Sequence, residues 1–368
     1  MKKCIAIILS VTILGIFSAC VSAESEQNKI YKSGDYTYTL VGGKAQIIRY
    51  KGNAKNVTVP ETIDGHTVFK IGSDICFITG FDDSIDDFDE EDGYTEDSQK
   101  SGFAKTKVES VSIPDTVTEL ASSCFYGCKH LKKIKLSDNL RYISNSLFCN
   151  CKSLKSVKIP DSVTEICSYA FAGTALKSLR IPKNVRIINL HSDNARLKKY
   201  TVAKGNKNFS AKNGVLYNKK KTRLIIYPMS KPGKSFTIPK GVRQIGIYSF
   251  ASVKKLERLI LPKTLERIKT RAFTNCKLKE VKCKPRGSKR LVFEEQAFEY
   301  CNKFKSIKLP KNTVLSKGSV GYYDVPDYGH GADYSSANKI SGFTIKGYKN
   351  SNAEKYAKKH GFKFVPIS

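Results

Sequence analysis

The chain has 368 residues, 40% of them apolar, with no Trp and two Met, which leaves room for a sizeable core and excludes wholesale disorder. Sixty-four Lys and Arg against 33 Asp and Glu give a net charge of +31. Because Asp82–Asp97 holds ten acids and no base, the other 352 residues carry +41. Such a surface favours anionic partners, less so as salt rises, and disfavours cationic ones.

Met1-Lys2-Lys3 is a basic start, and Ile5 to Phe17 is a 13-residue apolar run, the length of a signal-peptide core and too short for an ordinary membrane span. Residues 1–23 therefore read as a signal peptide. Two cleavage readings compete. Val21-Ser22-Ala23 puts small residues at −3 and −1 and frees a chain starting at Glu24, whereas Phe17-Ser18-Ala19-Cys20 resembles a lipobox with a lipid anchor at Cys20. Release at Ala23 is favoured, because Phe is an uncommon first residue of a lipobox. Either way the expectation is a secreted or surface-held chain. No later apolar run is long enough to span a membrane, and no sorting motif closes the chain. Export argues against nucleic acid as the partner.

Residues 24–60 form the first expected unit, in which polar and apolar residues alternate around Gly42-Gly43 as in a β-hairpin placed over an open end. Residues 61–310 read as a repeat array. Its strand-like runs end at Pro114, Ser137, Pro160 and Pro182, spaced 23, 23 and 22 residues apart, and again at Pro239, Pro262, Pro285 and Pro310, spaced 23, 23 and 25. Phe125, Phe148 and Phe171 keep the 23-residue period, as do Phe250 and Phe273, with Phe298 following after 25. Two landmarks with one period mark a solenoid.

Each unit reads L-x-x-I-x-I-P, then x-x-V-x-x-I, then x-x-A-F-x-x-C. The first part alternates as a half-buried strand does, and Pro ends it where a missing N–H is tolerated. A 23-residue unit cannot bury its apolar edge alone, but stacked neighbours can. The expected fold is a β-rich repeat solenoid, with one parallel sheet face and short strands or helical turns on the other.

Two interruptions fall within the array. The acidic insertion 80–102 contains Asp87, Asp89, Glu91 and Asp92, spaced loosely like a calcium loop, but Gly93 comes one place late. A solvated loop, calcium binding and docking onto the chain's own basic face stay open there, the first favoured. Residues 183–238 form one long irregular repeat. Residues 311–368 hold the last repeat, a Gly/Tyr-rich insertion (Tyr322, Tyr323, Tyr328, Tyr334) and a C-terminal cap.

The units Leu131–Cys151 (LKKIKLSDNLRYISNSLFCNC), Leu154–Thr174 and Leu256–Cys276 resemble the BspA-type leucine-rich-repeat family of bacterial cell-surface and secreted proteins. The resemblance extends over nearly all of residues 34–368. It implies a right-handed leucine-rich-repeat superhelix with an N-terminal hairpin cap and a C-terminal helical cap over Ala353 to Gly361. It also implies a hairpin-like insertion from Asn213 to Pro228, and a role in adhesion.

The residues offer little catalytic chemistry. Nine cysteines remain beyond Cys4 and Cys20. The slot three places after the repeat Phe reads Cys128, Cys151, Thr174, Val253, Cys276 and Cys301, which says small and buried. Bridges between neighbouring slots, such as Cys128–Cys151, are geometrically permitted, and an odd total leaves one thiol unpaired within a single chain. No zinc pattern, HExxH, nucleophile elbow or phosphate loop occurs. The scattered histidines (His66, His130, His191, His330, His360) read as solvated. No cofactor or metal is expected, and no catalytic residue is assigned.

The outward residues of the strands read more specifically. One row runs Ser112, Lys135, Lys158, Arg180, Thr201, Thr237, Ile260, Lys282, Lys308. A second, two residues earlier, runs Ser110, Lys133, Ser156, Ser178, Lys199, Ser235, Arg258, Glu280, Ser306. At about 4.8 Å per rung, nine rungs span roughly 40 Å. The candidate ligand-binding residues are Lys133, Lys135, Lys158, Arg180, Lys199, Arg258, Lys282 and Lys308, and the ligand class is an extended anionic macromolecule: a matrix protein, an acidic glycan or a wall polymer. A plain solubilising face is the competing account of the same cations. The functional expectation is a non-catalytic binding protein. Binding of the cell's own wall polymer is the alternative, and an enzyme with its site in an insertion stands third.

Overall fold

A computed structural model describes residues 29–73, 101–190, 194–285, 287–324 and 338–368. The expected signal peptide with Cys20, nearly all of the acidic insertion, His191, His330, Tyr328 and Tyr334 lie outside them.

The repeats coil into a β-solenoid. On one side, the L-x-x-I-x-I segments stack in parallel: Asn56–Thr58, Ser110–Ser112 and Lys133–Lys135 form one sheet, and Ser178–Ile181 pairs with Lys199–Val202. Further along, Ser235–Thr237, Arg258–Leu261 and Glu280–Cys283 form a third sheet, and Ser306–Lys308, Thr344–Gly347 and Lys363–Pro366 a fourth. The first face is thus parallel throughout but divided. Val157-Lys158-Ile159 is not a strand, although Lys158 is exposed and Ile159 buried as the alternation requires.

The V-x-x-I segments make the second face, and short strands rather than helical turns build it. Tyr142–Ile143, Glu165–Ile166 and Ile187–Ile188 stack in parallel. So do Arg223–Ile226, Gln244–Ile245, Arg267–Ile268, Leu291–Phe293 and Thr313–Leu315. Two-residue strands suffice because each neighbour above and below supplies the same hydrogen bonds.

The third side is a column of tight turns carrying the repeat Phe. Residues two before and two after each Phe are left-handed: Ser123 and Gly127 flank Phe125, Ser146 and Asn150 flank Phe148, and Arg271 and Asn275 flank Phe273. These paired reversals turn every Phe ring inward. The rings stack: Tyr50, Phe103, Phe125, Phe148 and Phe171 follow at centroid separations of 4.9, 5.2, 5.6 and 5.8 Å. A second stack runs Tyr227, Phe250, Phe273, Phe298 at 4.8, 4.7 and 4.8 Å.

Between the stacks stands the irregular repeat. Its antiparallel strands Phe209–Lys212, Val215–Asn218 and Arg223–Ile226 form the expected hairpin-like insertion, starting four residues before Asn213. Leu216 and Ile226 point into one core, and Val215, Tyr217, Leu224 and Tyr227 into the next. Two apolar cores are joined across one alternating hairpin.

At the beginning, Tyr36–Val41 and Lys44–Tyr50 pair antiparallel around Gly42-Gly43, and the second of these pairs in parallel with His66–Ile71. The hairpin therefore extends the second face, and Asn56–Thr58 stands at the edge of the first. Towards the other end, helix α1 (Asn352–His360) starts at Ser351, whose hydroxyl accepts from the Glu354 N–H, and stops at left-handed Gly361. It buries Ala353, Tyr356 and Ala357. The strand Lys363–Pro366 follows it and is the outermost of its sheet, so the helix does not by itself close the first face.

Candidate functional site

All eight cations of the candidate set are exposed. Strand geometry explains this, because alternate residues of a strand point to opposite faces, and the partners between them (Val111, Leu179, Leu259, Val281, Ile307) are buried. Backbone register aligns Ser112 with Lys135, Arg180 with Thr201, and Thr237 with Ile260 and Lys282. The second row aligns Ser110 with Lys133, Ser178 with Lys199, and Ser235 with Arg258 and Glu280. Lys346 extends the first row beyond Lys308. Lys158 stands in the segment that makes no strand, and Ile260 puts a half-buried apolar side chain into the row.

Among the described residues, Lys282 is the only one of the eight in an ion pair, with Glu280 at 3.3 Å. Acids elsewhere on this side sit one residue before the strands, a row the sequence reading did not single out. Glu109 bridges Lys55 and Lys132 at 3.6 and 2.6 Å. Glu257 bridges Lys234 and Lys279 at 3.8 and 3.0 Å. Donation from Lys132 holds the Glu109 carboxyl below its usual range, as donation from Lys279 does for Glu257. The first position after L in each repeat carries the signal for this row: Lys where the pattern is regular, Glu at two places. These two carboxylates offset only part of the positive charge of their own row and form no ion pair with the two outward rows.

The cysteine slot has a specific partner. Cys128 Sγ donates to the Phe103 carbonyl at 2.9 Å, Cys151 to Phe125 at 3.0 Å, Cys276 to Phe250 at 2.8 Å and Cys301 to Phe273 at 3.0 Å. In the irregular repeat the Asn194 amide donates to the Phe171 carbonyl at 3.2 Å. The thiols are thus small core donors to the carbonyl of an earlier turn. Burial pushes the Cys276 thiol well up and the Cys167 thiol to about 11. Cys128 and Cys151 are both reduced thiols, so the permitted Cys128–Cys151 bridge is not formed.

One histidine expectation is corrected. His360 is not simply solvated: it is half-buried, with its Nδ1 2.7 Å from the Tyr322 hydroxyl. Burial, then Lys359 and neighbouring lysines, push its pKa down. In the Gly/Tyr-rich insertion Tyr322 is a buried core residue, whereas Tyr323 is exposed. His66 Nδ1 lies 2.9 Å from the Gly43 carbonyl. Among the described residues no group of three His, Cys, Asp or Glu is placed to hold a metal, and no helix is long and apolar enough to cross a membrane.

The comparisons with known proteins agree with this architecture. No curated protein matches the sequence. The structure of the pneumococcal vaccine antigen PcpA is similar, with 19% identity, TM-score 0.57, and 93% of this chain and 100% of that one covered. A leucine-rich cell surface protein from Faecalibacterium prausnitzii aligns at 22% identity and TM-score 0.49, covering 90% and 98%. A leucine-rich-repeat protein from Bacteroides ovatus aligns at 17% and 0.41, covering 92% and 100%. The model of the BspA type leucine-rich repeat region matches six copies, over residues 97–220 and 229–320. With more than half of its length matched, this chain belongs to the BspA-type leucine-rich-repeat family.

Proposed function

We propose that this is an exported, non-catalytic binding protein that holds an extended anionic macromolecule along the first face of the solenoid. The observation that carries the reading is the pair of register-aligned rows. Among the described residues Lys133, Lys135, Arg180, Lys199, Arg258 and Lys308 stand exposed with no carboxylate within ion-pair distance, while Glu109 and Glu257 sit in a separate row. Free cations repeated along one face raise the local concentration of a polyanion and fix its direction along the stack. The signal peptide expected over residues 1–23 supports an encounter outside the cytoplasm. Adhesion to a matrix protein or glycan is the biological role proposed. Retention on the cell's own wall polymer is the second reading, favoured by the same charge.

The test is binding of the Glu24–Ser368 chain to purified wall polymer, acidic glycans and matrix proteins, at physiological and at high salt. The companion variant carries Lys135→Ser, Lys158→Ser, Lys282→Ser and Lys308→Ser. Removing four of eight cations from the rows is expected to lower affinity at least tenfold and to flatten its salt dependence. Equal binding by variant and parent overturns the proposal. A preference for wall polymer over every host ligand selects the second reading.

A further inference from the structure

The second face carries a separate cluster of cations in its C-terminal half. Arg223, Gln244, Arg267 and Val292 occupy one register row on successive strands. Thr222, Arg243 and Glu266 form the adjacent row, one residue earlier on the first three of those strands. Lys289 and Arg290 come in from the loop before Leu291–Phe293, and together these side chains line a groove of about 700 Å³. The corresponding row in the N-terminal half reads Lys70 against Glu119, and Tyr142 against Glu165 and Ile187. There carboxylates outnumber cations, and the one cation, Lys70, lies 3.7 Å from Glu119.

In the groove the balance is reversed. Five cations face one lining carboxylate, Glu266, which lies 3.8 Å from Arg243. Arg267 is held from outside the groove by Glu294 at 2.9 Å, and Glu294 is also shared with Lys269 at 3.0 Å. Among the described residues Arg223, Lys289 and Arg290 have no carboxylate within ion-pair distance. Four of the five cations are Arg, whose planar fork suits carboxylate and sulfate oxygens in pairs.

The rest of the lining narrows the ligand. Val292 is its only apolar residue and no aromatic ring lines it, so an apolar or lipid-like ligand finds no complement. The Asn218 amide is occupied by the turn, accepting from the Arg223 N–H at 2.9 Å and donating to the Thr222 hydroxyl at 2.9 Å. Glu266 and Gln244 remain as acceptors facing the space, and acceptors require a ligand that brings hydroxyl donors along with its anions. Arg223 and Arg267 stand two rungs apart, roughly 10 Å at strand spacing, so one anionic group cannot satisfy both. We propose that this groove binds a short anionic glycan, with its carboxylate or sulfate groups on Arg223, Arg267 and Arg290 and its hydroxyls donating to Glu266 and Gln244. The site is on a different face from the strip and does not rest on it.

The experiment is calorimetric titration of the full mature chain with a heparin-derived tetrasaccharide, a tetragalacturonate, neutral chitotetraose and inorganic tripolyphosphate. The groove variant is Arg223→Gln, Arg267→Gln, Arg290→Gln. A second, Arg223→Gln with Arg290→Gln, leaves the Arg267–Glu294 pair intact and reads the site should the triple change disturb folding. The strip variant described above is the third. At least one acidic tetrasaccharide is expected to bind the parent, to lose tenfold or more in both groove variants, and to stay within twofold in the strip variant. Binding of the tetragalacturonate shows that carboxylates suffice, whereas binding of the heparin fragment alone, which carries both groups, shows that sulfate is required. Unchanged binding in the groove variants, loss in the strip variant instead, no binding of either acidic saccharide, or tripolyphosphate binding as tightly as they do would each overturn the proposal.

Discussion

At the residue scale, the repeat Phe and the slot three places later carry the interior. Phe273 is buried between Phe250 and Phe298 at 4.7 and 4.8 Å, so its removal leaves a void that neighbouring turns, locked by left-handed residues, cannot fill. Phe273→Ala is expected to cost about 3–5 kcal/mol in urea denaturation. Tyr323→Ala, at an exposed position, should stay within about 0.5 kcal/mol. The Cys276 thiol fills space and donates to Phe250, but Val253 fills the same slot one turn earlier without a donor. Cys276→Val should therefore cost less than about 1.5 kcal/mol, as volume-conserving core changes do. A larger loss would mean that the thiol–carbonyl bond, and not the packing, holds the slot.

At the element scale, the second face is tied together by carboxylates that reach between turns. Glu294 follows the strand Leu291–Phe293 and receives Arg267, Lys269 and the Thr270 N–H from the turn before. Burial alone would raise its pKa, but these donors outweigh it and hold the carboxyl below its ordinary value. A carboxylate depressed in the folded chain contributes stability that is present above its unfolded pKa, about 4.3, and lost as pH falls through the folded one. Glu294→Gln should lower the melting temperature at pH 7 and narrow the gap to the parent as pH falls below about 4. A gap that persists unchanged into acid would assign the effect to shape and not to charge.

At the scale of the whole molecule, each turn leans only on its neighbours, so the chain should tolerate loss of one complete period. Deleting Lys132–Leu154, 23 residues, joins Leu131 to Lys155 and puts each landmark one turn along. This deletion is expected to keep the circular dichroism spectrum and a cooperative melt. Deleting only Lys132–Ile143 breaks both landmarks and is expected to lose them. Equal behaviour of the two deletions would show that the 23-residue phase does not govern stacking.

The period, the inward apolar residues and the outward Lys rows were legible in the sequence, because a strand's alternation and a solenoid's repeat are local properties that every unit states again. The hairpin within the irregular repeat was legible only through the family resemblance, which implied it from Asn213 to Pro228. What the sequence left open depends on distances between turns. The division of the first face at Val157–Ile159, the thiol donors to the Phe carbonyls and the Lys–Glu–Lys bridges are relations between neighbouring turns, mostly 22 to 28 positions apart and 54 for Lys55–Glu109, which spans the acidic insertion. The Arg-lined groove likewise needs side chains from the hairpin, three successive strands and one loop. Local pattern decided which way each side chain points; only stacking decided which side chains meet.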